Sequence, residues 1–452
     1  MKRKFRIADY EKTLDLQISL RDVLPSDHLA RFIVDVIAQL DLSKIYSQYS
    51  DQGAPPYAPE VMLGLLFYGY ATGVFSSRKI EKATYEVIPF RFIASDMHPD
   101  HDTIAHFRRQ FLAELKELFV QILLIAQAMG RFQLGNVSLD GSKIHADAAK
   151  SKAVSYKRLL AIEAYLQAEV NELFALAEAA DGGQLPDEMN IQDEIERRQQ
   201  QLARLAEAKK VLEARAEARY EAEKAEYEAK LKARKEKAIK KGKKPRGRPP
   251  NPPTPGPRDK DQYNFTDPES RIMKNANNSG FDQHYNAQVV VDHDSRLIVG
   301  DWLCNHTNDK QAALPTIDTV QPQLGKPQAA NLDTGYFSQD NINGLLARGI
   351  DPYVATGRSP HHQGWRAYFL DNPDPLAEDA SVKEQMAYKL RTEIGNALYR
   401  LRKSTVEPVI GIIKEVLGFR QFSLRGLFAA SGEWTLVCLA YNLKRMHTLH
   451  FG

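Results

Sequence analysis

The sequence predicts a mixed α+β/α/β fold in three parts: an all-helical N-terminal domain, a mixed sheet with flanking helices, and a helical-hairpin arm inserted into that sheet's connections. Three observations carry this expectation. Hydrophobic periodicity is helical up to about residue 130 and turns into the alternation and β-branched runs of strands from Gly135 onward. A long segment between the first strand and the later ones is rich in Ala, Glu, Leu, Lys and Arg, the strong helix formers. Two short apolar runs end in an acid, Asp140 in Val137-Ser-Leu-Asp140 and Asp333 in Ala330-Asn-Leu-Asp333, and a third acid, Glu407, sits in helix-forming sequence rich in Arg and Lys.

Taken in order, the helical region has the apolar set Val61, Met62, Leu65, Leu66 and Phe67 in residues 59–73. Ser76 or Ser77 caps a short helix, and a later one starts at Asp102 as N-cap and runs toward Met129. Short helices separated by turns suggest a helix-turn-helix-like DNA reader, with His106, Arg108 and Arg109 on an exposed face. Solvated residues on a packing helix are the alternative.

Val137-Ser-Leu-Asp140 and Lys143-Ile-His-Ala read as a strand or hairpin, and residues 287–292 and 296–300 as two antiparallel strands around His-Asp-Ser. Residues 327–333 offer a further strand, with helices over 340–347 and 382–403. In between, residues 151–180 and 187–240 form two long helices broken at Asp181-Gly-Gly, hence an antiparallel coiled-coil arm. Such an insertion at a surface connection costs the sheet little. Residues 245–257 are a Pro/Gly linker. The expected organisation is 1–130 helical and DNA-binding, 131–150 with 259–452 catalytic, 151–242 arm, and 243–258 basic linker.

Composition narrows the class. The 452 residues suffice for two or three domains with apolar cores. Cys304 and Cys438, the only cysteines, exclude a disulfide framework and a cysteine zinc site and suit a reducing cytosol. The basic start Met-Lys-Arg-Lys-Phe-Arg is followed by no apolar core, so no secretory signal is expected, and the run 118–129 is too short to span a bilayer. A soluble, cytoplasmic protein follows as an expectation. The net charge of +3 is small, but residues 230–248 carry one acid among many bases, a local field that attracts a polyanion.

Carboxylates delivered from strand ends and a helix can hold a pair of divalent cations, one activating an attacking oxygen and the other stabilising a leaving oxygen in phosphodiester chemistry. The string Tyr399-Arg-Leu-Arg-Lys-Ser-Thr-Val-Glu407-Pro-Val-Ile-Gly-Ile-Ile-Lys414, with Glu433-Trp434 and Ala440-Tyr-Asn-Leu-Lys-Arg445 behind it, carries a family resemblance. From about Leu24 to Leu449 the chain resembles DDE-type transposases of bacterial insertion sequences. That resemblance implies a ribonuclease H-like catalytic domain with Asp140, Asp333 and Glu407 as catalytic metal ligands for two Mg²⁺ ions, Mn²⁺ being a substitute. It further implies double-stranded DNA partners, namely terminal inverted repeats and target, a homodimer or higher homo-oligomer assembled on DNA, and a bacterial protein associated with the nucleoid when bound. In many relatives Tyr stands seven before the Glu, Arg four before and Lys seven after. Here Lys403 is four before and Lys414 fits, but Arg400 holds the Tyr position, so Tyr399 and Arg402 take those roles only if the backbone before Glu407 shifts by a residue. Pro408 suggests a helix newly capped by Ser404 or Thr405.

Lys403, Lys414, Arg420 and Arg425 make a basic frame for DNA phosphates around Glu407. Pro245-Arg246-Gly247-Arg248-Pro249 matches the core of an AT-hook, in which Arg246 and Arg248 lie in a narrow minor groove; a sequence-blind basic tether is the alternative. His145, beside Lys143 and Asp147, reads as a DNA contact, a proton-transfer aid or a structural residue, and His361-His362 as loop polarity. The activity expected is cleavage of element ends and joining of the 3′ hydroxyl to target DNA. A nuclease of the same fold that does not join strands, and a non-catalytic DNA-binding derivative, are the alternatives.

Overall fold

The computed structural model describes residues 19–49, 55–180, 190–241, 248–275, 280–357, 376 and 380–452. Eight helices come first: α1 (Leu20–Val23), α2 (Leu29–Ile37), α3 (Ser43–Tyr46), α4 (Pro59–Ala71), α5 (Ser77–Glu86), α6 (Ile88–Ile93), α7 (His101–Gln110) and α8 (Glu114–Ala128). Asp100, rather than Asp102, caps α7, because its side chain reaches the backbone N–H of Thr103 at 2.8 Å. The helix expected to continue to Met129 is interrupted after Gln110, and α8 begins at Glu114. Next come β1 (Val137–His145), β2 (Ala153–Ser155), α9 (Tyr156–Ala180), α10 (Ile191–Lys241), β3 (Gln262–Asn264), β4 (Arg271–Lys274), β5 (Phe281–Asp292) and β6 (Ile298–Cys304). The chain closes with α11 (Ala313–Ile317), β7 (Ala329–Leu332), α12 (Gln339–Ala347), β8 (Asp351–Val354), α13 (Val382–Lys389), α14 (Glu393–Ser404), α15 (Val406–Gly411) and α16 (Leu427–Phe451). The helix expected over 382–403 is thus two: the first ends at Lys389, and Thr392 caps the second by accepting from Gly395 N–H.

Two units can be distinguished, one running to Ile144 and resuming at Tyr285, the other covering His145–His284. In the first, β5 lies between β6 and β1, followed by β7 and β8. The β5–β6 pair is antiparallel, whereas β1–β7 and β7–β8 are parallel, so the sheet is mixed. This is the fold class that the sequence predicts, with helices flanking the sheet. From Gln283 to Asp292 every residue of β5 is buried, as befits a strand covered on both faces.

Helix α16 is the central support of this unit. Asn442 bonds both the N–H and the C=O of Ile298 at 2.8 and 2.7 Å, and Trp434 Nε1 donates to Gln288 O at 3.1 Å, which locks the helix to β5 and β6. Glu433, fully buried on the same helix, accepts from Tyr70 Oη of α4 at 2.9 Å and from the N–H groups of Ser423 and Leu424 at 2.8 and 3.0 Å. Arg108 of α7 completes the cluster, donating to Tyr70 Oη at 2.8 Å and lying 3.8 Å from Glu433. A buried charge left without its partner costs about 3–5 kcal/mol. The helices α4 and α7 are therefore held to α16 by polar as well as apolar contacts.

In the second unit α9 and α10 pack as an antiparallel hairpin. Cross-helix contacts close in sequence from Tyr156–Glu213 (57 apart) through Lys209–Glu163 (46 apart) to Arg198–Glu169 (29 apart), the signature of two helices running in opposite senses. Leu159, Leu166, Leu205, Ala208 and Leu212 form its apolar seam. The turn expected at Asp181-Gly-Gly lies outside the described residues. At the base, β2 and β3 pair antiparallel with Val154 opposite Tyr263, and β4 pairs antiparallel with the start of β5. These short strands were not expected from the sequence. Residues 248–257 carry no helix or strand, as expected of the linker.

Candidate functional site

The site grows from three local conformations. Asp140 was expected to end a strand but sits inside β1, which runs on to His145. The strand can continue because residue 141 is glycine: a Cβ there would fall 2.0 Å from Gln288 Nε2. Asp333 does close its strand, β7, and its Oδ1 accepts from Gly335 N–H at 2.7 Å, turning the chain sharply. Glu407 lies in the first turn of α15, where Pro408 is tolerated because that turn asks for no donor.

The junction between α14 and α15 determines where Glu407 points. Residues five apart on a regular helix face away from each other. Thr405, with φ −113° and ψ −83°, breaks the helix and brings Arg402 and Glu407 together at 3.0 Å. The new helix starts where the sequence places it, but Thr405 does not cap it with its side chain. Its hydroxyl faces Leu401 O instead, at 2.9 Å. Beyond Glu407 the residues Ile412–Val416 form a π turn, an irregularity frequent at functional sites, and Lys414 within it reaches Ser142 Oγ at 3.1 Å.

Arg402 joins all three acids. Its guanidinium lies 2.6 Å from Asp140 Oδ2, 3.0 Å from Glu407 Oε1 and 3.8 Å from Asp333 Oδ2. Asp140 is the most enclosed acid, and burial, opposed by Arg402 and reinforced by Asp333, pushes its carboxyl up to about 6. Tyr399, half-buried nearby, is pushed above its ordinary value by burial. Burial likewise lowers the Lys414 ammonium. Among the described residues no group of three or more His, Cys, Asp or Glu side chains is arranged as it stands to hold an ion. The acids gather on Arg402.

Other expected site residues fall elsewhere. Lys403, Arg420 and Arg425 are exposed, Arg420 in an ion pair with Glu415. His106 and Arg109 are exposed on α7 as expected, but Arg108 is buried in the Glu433 cluster, so the exposed-face reading is corrected for it. Arg108 shares the buried face of α7 with Ile104 and Phe107. His145 rests on the ring of His284 at 4.3 Å. Arg248 is exposed, while Arg246, His361 and His362 lie outside the described residues.

Sequence reasoning missed the polar set behind the acids. Asn286 Nδ2 and Gln288 Nε2 donate to Asp309 Oδ1 at 2.8 and 3.1 Å, and Tyr336 Oη donates to Gln288 Oε1. Asp309 Oδ2 and Asp333 Oδ1 both lie within 3.4 Å of the place a Gly335 Cβ would take. Amide side chains inside the otherwise apolar β5 were the available signal.

A mixed sheet thus brings two strand-borne acids to a third on a helix, around one guanidinium. Residues 253–443 match the Transposase DDE domain, and residues 18–110 match the Transposase domain (DUF772). The chain belongs to the DDE-domain transposases, a catalytic family, with the DUF772 transposase domain preceding the DDE domain. Asp333 and Glu407 fall within the second match; Asp140 and the hairpin of α9 and α10 fall between the two. Neither the curated proteins nor the solved structures gave a match. No described helix is long and apolar enough to cross a membrane.

Proposed function

We propose that this transposase cleaves the ends of a mobile element and joins the resulting 3′ hydroxyl to target DNA, with Asp140, Asp333 and Glu407 as the ligands of its divalent cations. The observation that supports this most is the convergence of three carboxylates, 262 and five residues from Arg402 in the cases of Asp140 and Glu407, on one guanidinium. The donor set fits a hard cation, since every candidate ligand atom is a carboxylate oxygen. Bound there, two Mg²⁺ ions, or Mn²⁺ in their place, would supply activation of the attacking oxygen and stabilisation of the leaving oxygen.

The chain's own residues do the rest. Asp140 must lose its proton to serve as a ligand, and Arg402 favours the charged form. With cations held by the acids, Arg402 would give up part of its contacts to them and, like Lys403 and Lys414, would be placed to meet a phosphate. Such contacts position a DNA backbone without reading its sequence. The exposed His106 and Arg109 on α7, in the proposed DNA-binding region 1–130, and the basic segment ending at Arg248 offer further phosphate contacts. Assembly of two or more copies on paired ends completes the reading.

The test is substitution of each acid. Asp140→Ala, Asp333→Ala and Glu407→Ala should each remove both end cleavage and strand joining in Mg²⁺, about as completely as the triple variant, because the ligands act as a unit. Duplex binding should persist. Near wild-type activity in any one variant removes that residue from the site, and cleavage without joining in the wild-type protein would make it a nuclease.

A further inference from the structure

Ser138, Asn331 and Thr405 stand two positions before Asp140, Asp333 and Glu407 respectively, and they are 0, 1 and 2 % exposed. Ser138 and Asn331 face each other in register on the parallel strands β1 and β7. Residues two apart on a strand share a face, so whatever holds these two holds the level of the acids ahead of them. Thr405 is the residue at which α14 gives way to α15.

Two of them meet at one imidazole, and the third reaches it through Ser138. His293, in the turn after β5, lies with Nε2 2.9 Å from Ser138 Oγ and 3.4 Å from Asn331 Nδ2, and Thr405 Oγ1 is 3.2 Å from Ser138 Oγ. The His293 N–H is anchored on Asn136 O at 2.9 Å, and Asn331 Nδ2 also donates to Leu398 O at 2.6 Å. With Asn331 donating, Nε2 accepts from it and from the Ser138 hydroxyl, and the Thr405 hydroxyl, which also faces Leu401 O at 2.9 Å, lies beside the Ser138 oxygen. A neutral ring is required, and burial lowers the His293 pKa from its ordinary value.

The surrounding positions show that this polarity is particular. Val137, Leu139, Leu332 and Val406 beside these residues are apolar and fully buried. Against that apolar packing, the positions two before the acids, on three separate elements, carry buried hydrogen-bonding side chains. We propose that His293 is a positioning residue that ties Ser138, Asn331 and Thr405 into one platform and so sets the spacing of the three acids. This rests on the reading that those acids hold divalent cations.

The experiment is calorimetric titration of the full chain with Mn²⁺, for wild type, His293→Leu, His293→Gln and, as a reference, Asp333→Asn. Circular dichroism and thermal unfolding report folding, and kcat and KM are taken on element-end DNA. Groups that orient metal ligands typically contribute about 10- to 100-fold in metal affinity. His293→Leu should lose Mn²⁺ affinity by that factor and lose kcat at unchanged KM, with its secondary structure intact. His293→Gln, whose amide oxygen can take the Ser138 proton, should recover most of both. A folded His293→Leu with wild-type Mn²⁺ affinity, or a Gln variant no better than the Leu one, overturns the proposal. If the Leu variant does not fold, Ser138→Ala carries the test: weakened Mn²⁺ binding supports the platform and wild-type affinity overturns it. Wild-type affinity in Asp333→Asn sinks the cation reading and the proposal with it, whereas the His293 outcomes sink the proposal alone.

Discussion

Arg402 contributes one positive charge to a site of three carboxylates, and that imbalance has a consequence for pH. Asp140 carries the enclosed share of it, its carboxyl raised to about 6 chiefly by burial. A carboxyl raised on folding binds more protons in the folded chain than in the unfolded one between about pH 4 and 6. Its contribution to stability is therefore present below that window and is lost as pH rises through about 6. Thermal unfolding followed from pH 4 to 7 should show this decline in the wild type and not in Asp140→Asn, and parallel curves for the two would refute it. The three acids that gather on Arg402 were picked out of the sequence because each sits in a short, distinctive string. The partner of Arg402 was not, since Asp140 lies 262 residues away. Arg108 was misread for the opposite reason: a charged side chain on an amphipathic helix is usually solvated, and only the packing of α4 and α16 reveals its buried partners.

At the scale of elements, the break at Thr405 and the π turn at Ile412–Val416 do what a continuous helix could not, presenting Arg402, Glu407 and Lys414 from one short stretch. Pro408 signalled the break in the sequence; nothing signalled the π turn. The hairpin of α9 and α10 was legible from composition alone, because its stability comes from helix formers and a simple apolar seam. Its base was not, as β2 and β3 are three residues each. That base now defines where to cut. Tyr156 N–H bonds Asp261 O at 2.8 Å, so the two ends of the arm are already adjacent. Replacing residues 157–260 with a short Gly/Ser linker should leave a cooperatively unfolding protein with its sheet intact, while formation of the paired-end complex on DNA falls more than thermal stability does. Circular dichroism with gel-shift assays on end DNA measures both, and an unfolded product would show the arm to be part of the fold.

For the molecule as a whole, the mixed sheet and its flanking helices were anticipated because strand and helix periodicities separate cleanly along the chain, while the brace through Glu433 was not, being made of contacts that join α4, α7 and α16. Net charge of +3 leaves DNA affinity to local clusters. The segment with Arg246 and Arg248 is the sharpest of them. Changing both to Ala should weaken binding to AT-rich duplex more than to GC-rich duplex, since the narrow groove concentrates the potential they exploit. Competition binding at fixed salt decides it. Equal weakening on both, with the salt slope of log K flatter by about 0.9 per contact, would leave a plain electrostatic tether. No weakening would remove the segment from the DNA interface.

The 51 residues of α10 also set a ruler. At about 1.5 Å per residue the helix is about 75 Å long, the length of about 22 base pairs of duplex at about 3.4 Å each. Any nucleic acid lying along it would be measured by distance in helical turns, and shortening the rod by whole heptads would move a protection boundary on DNA without changing a single base contact.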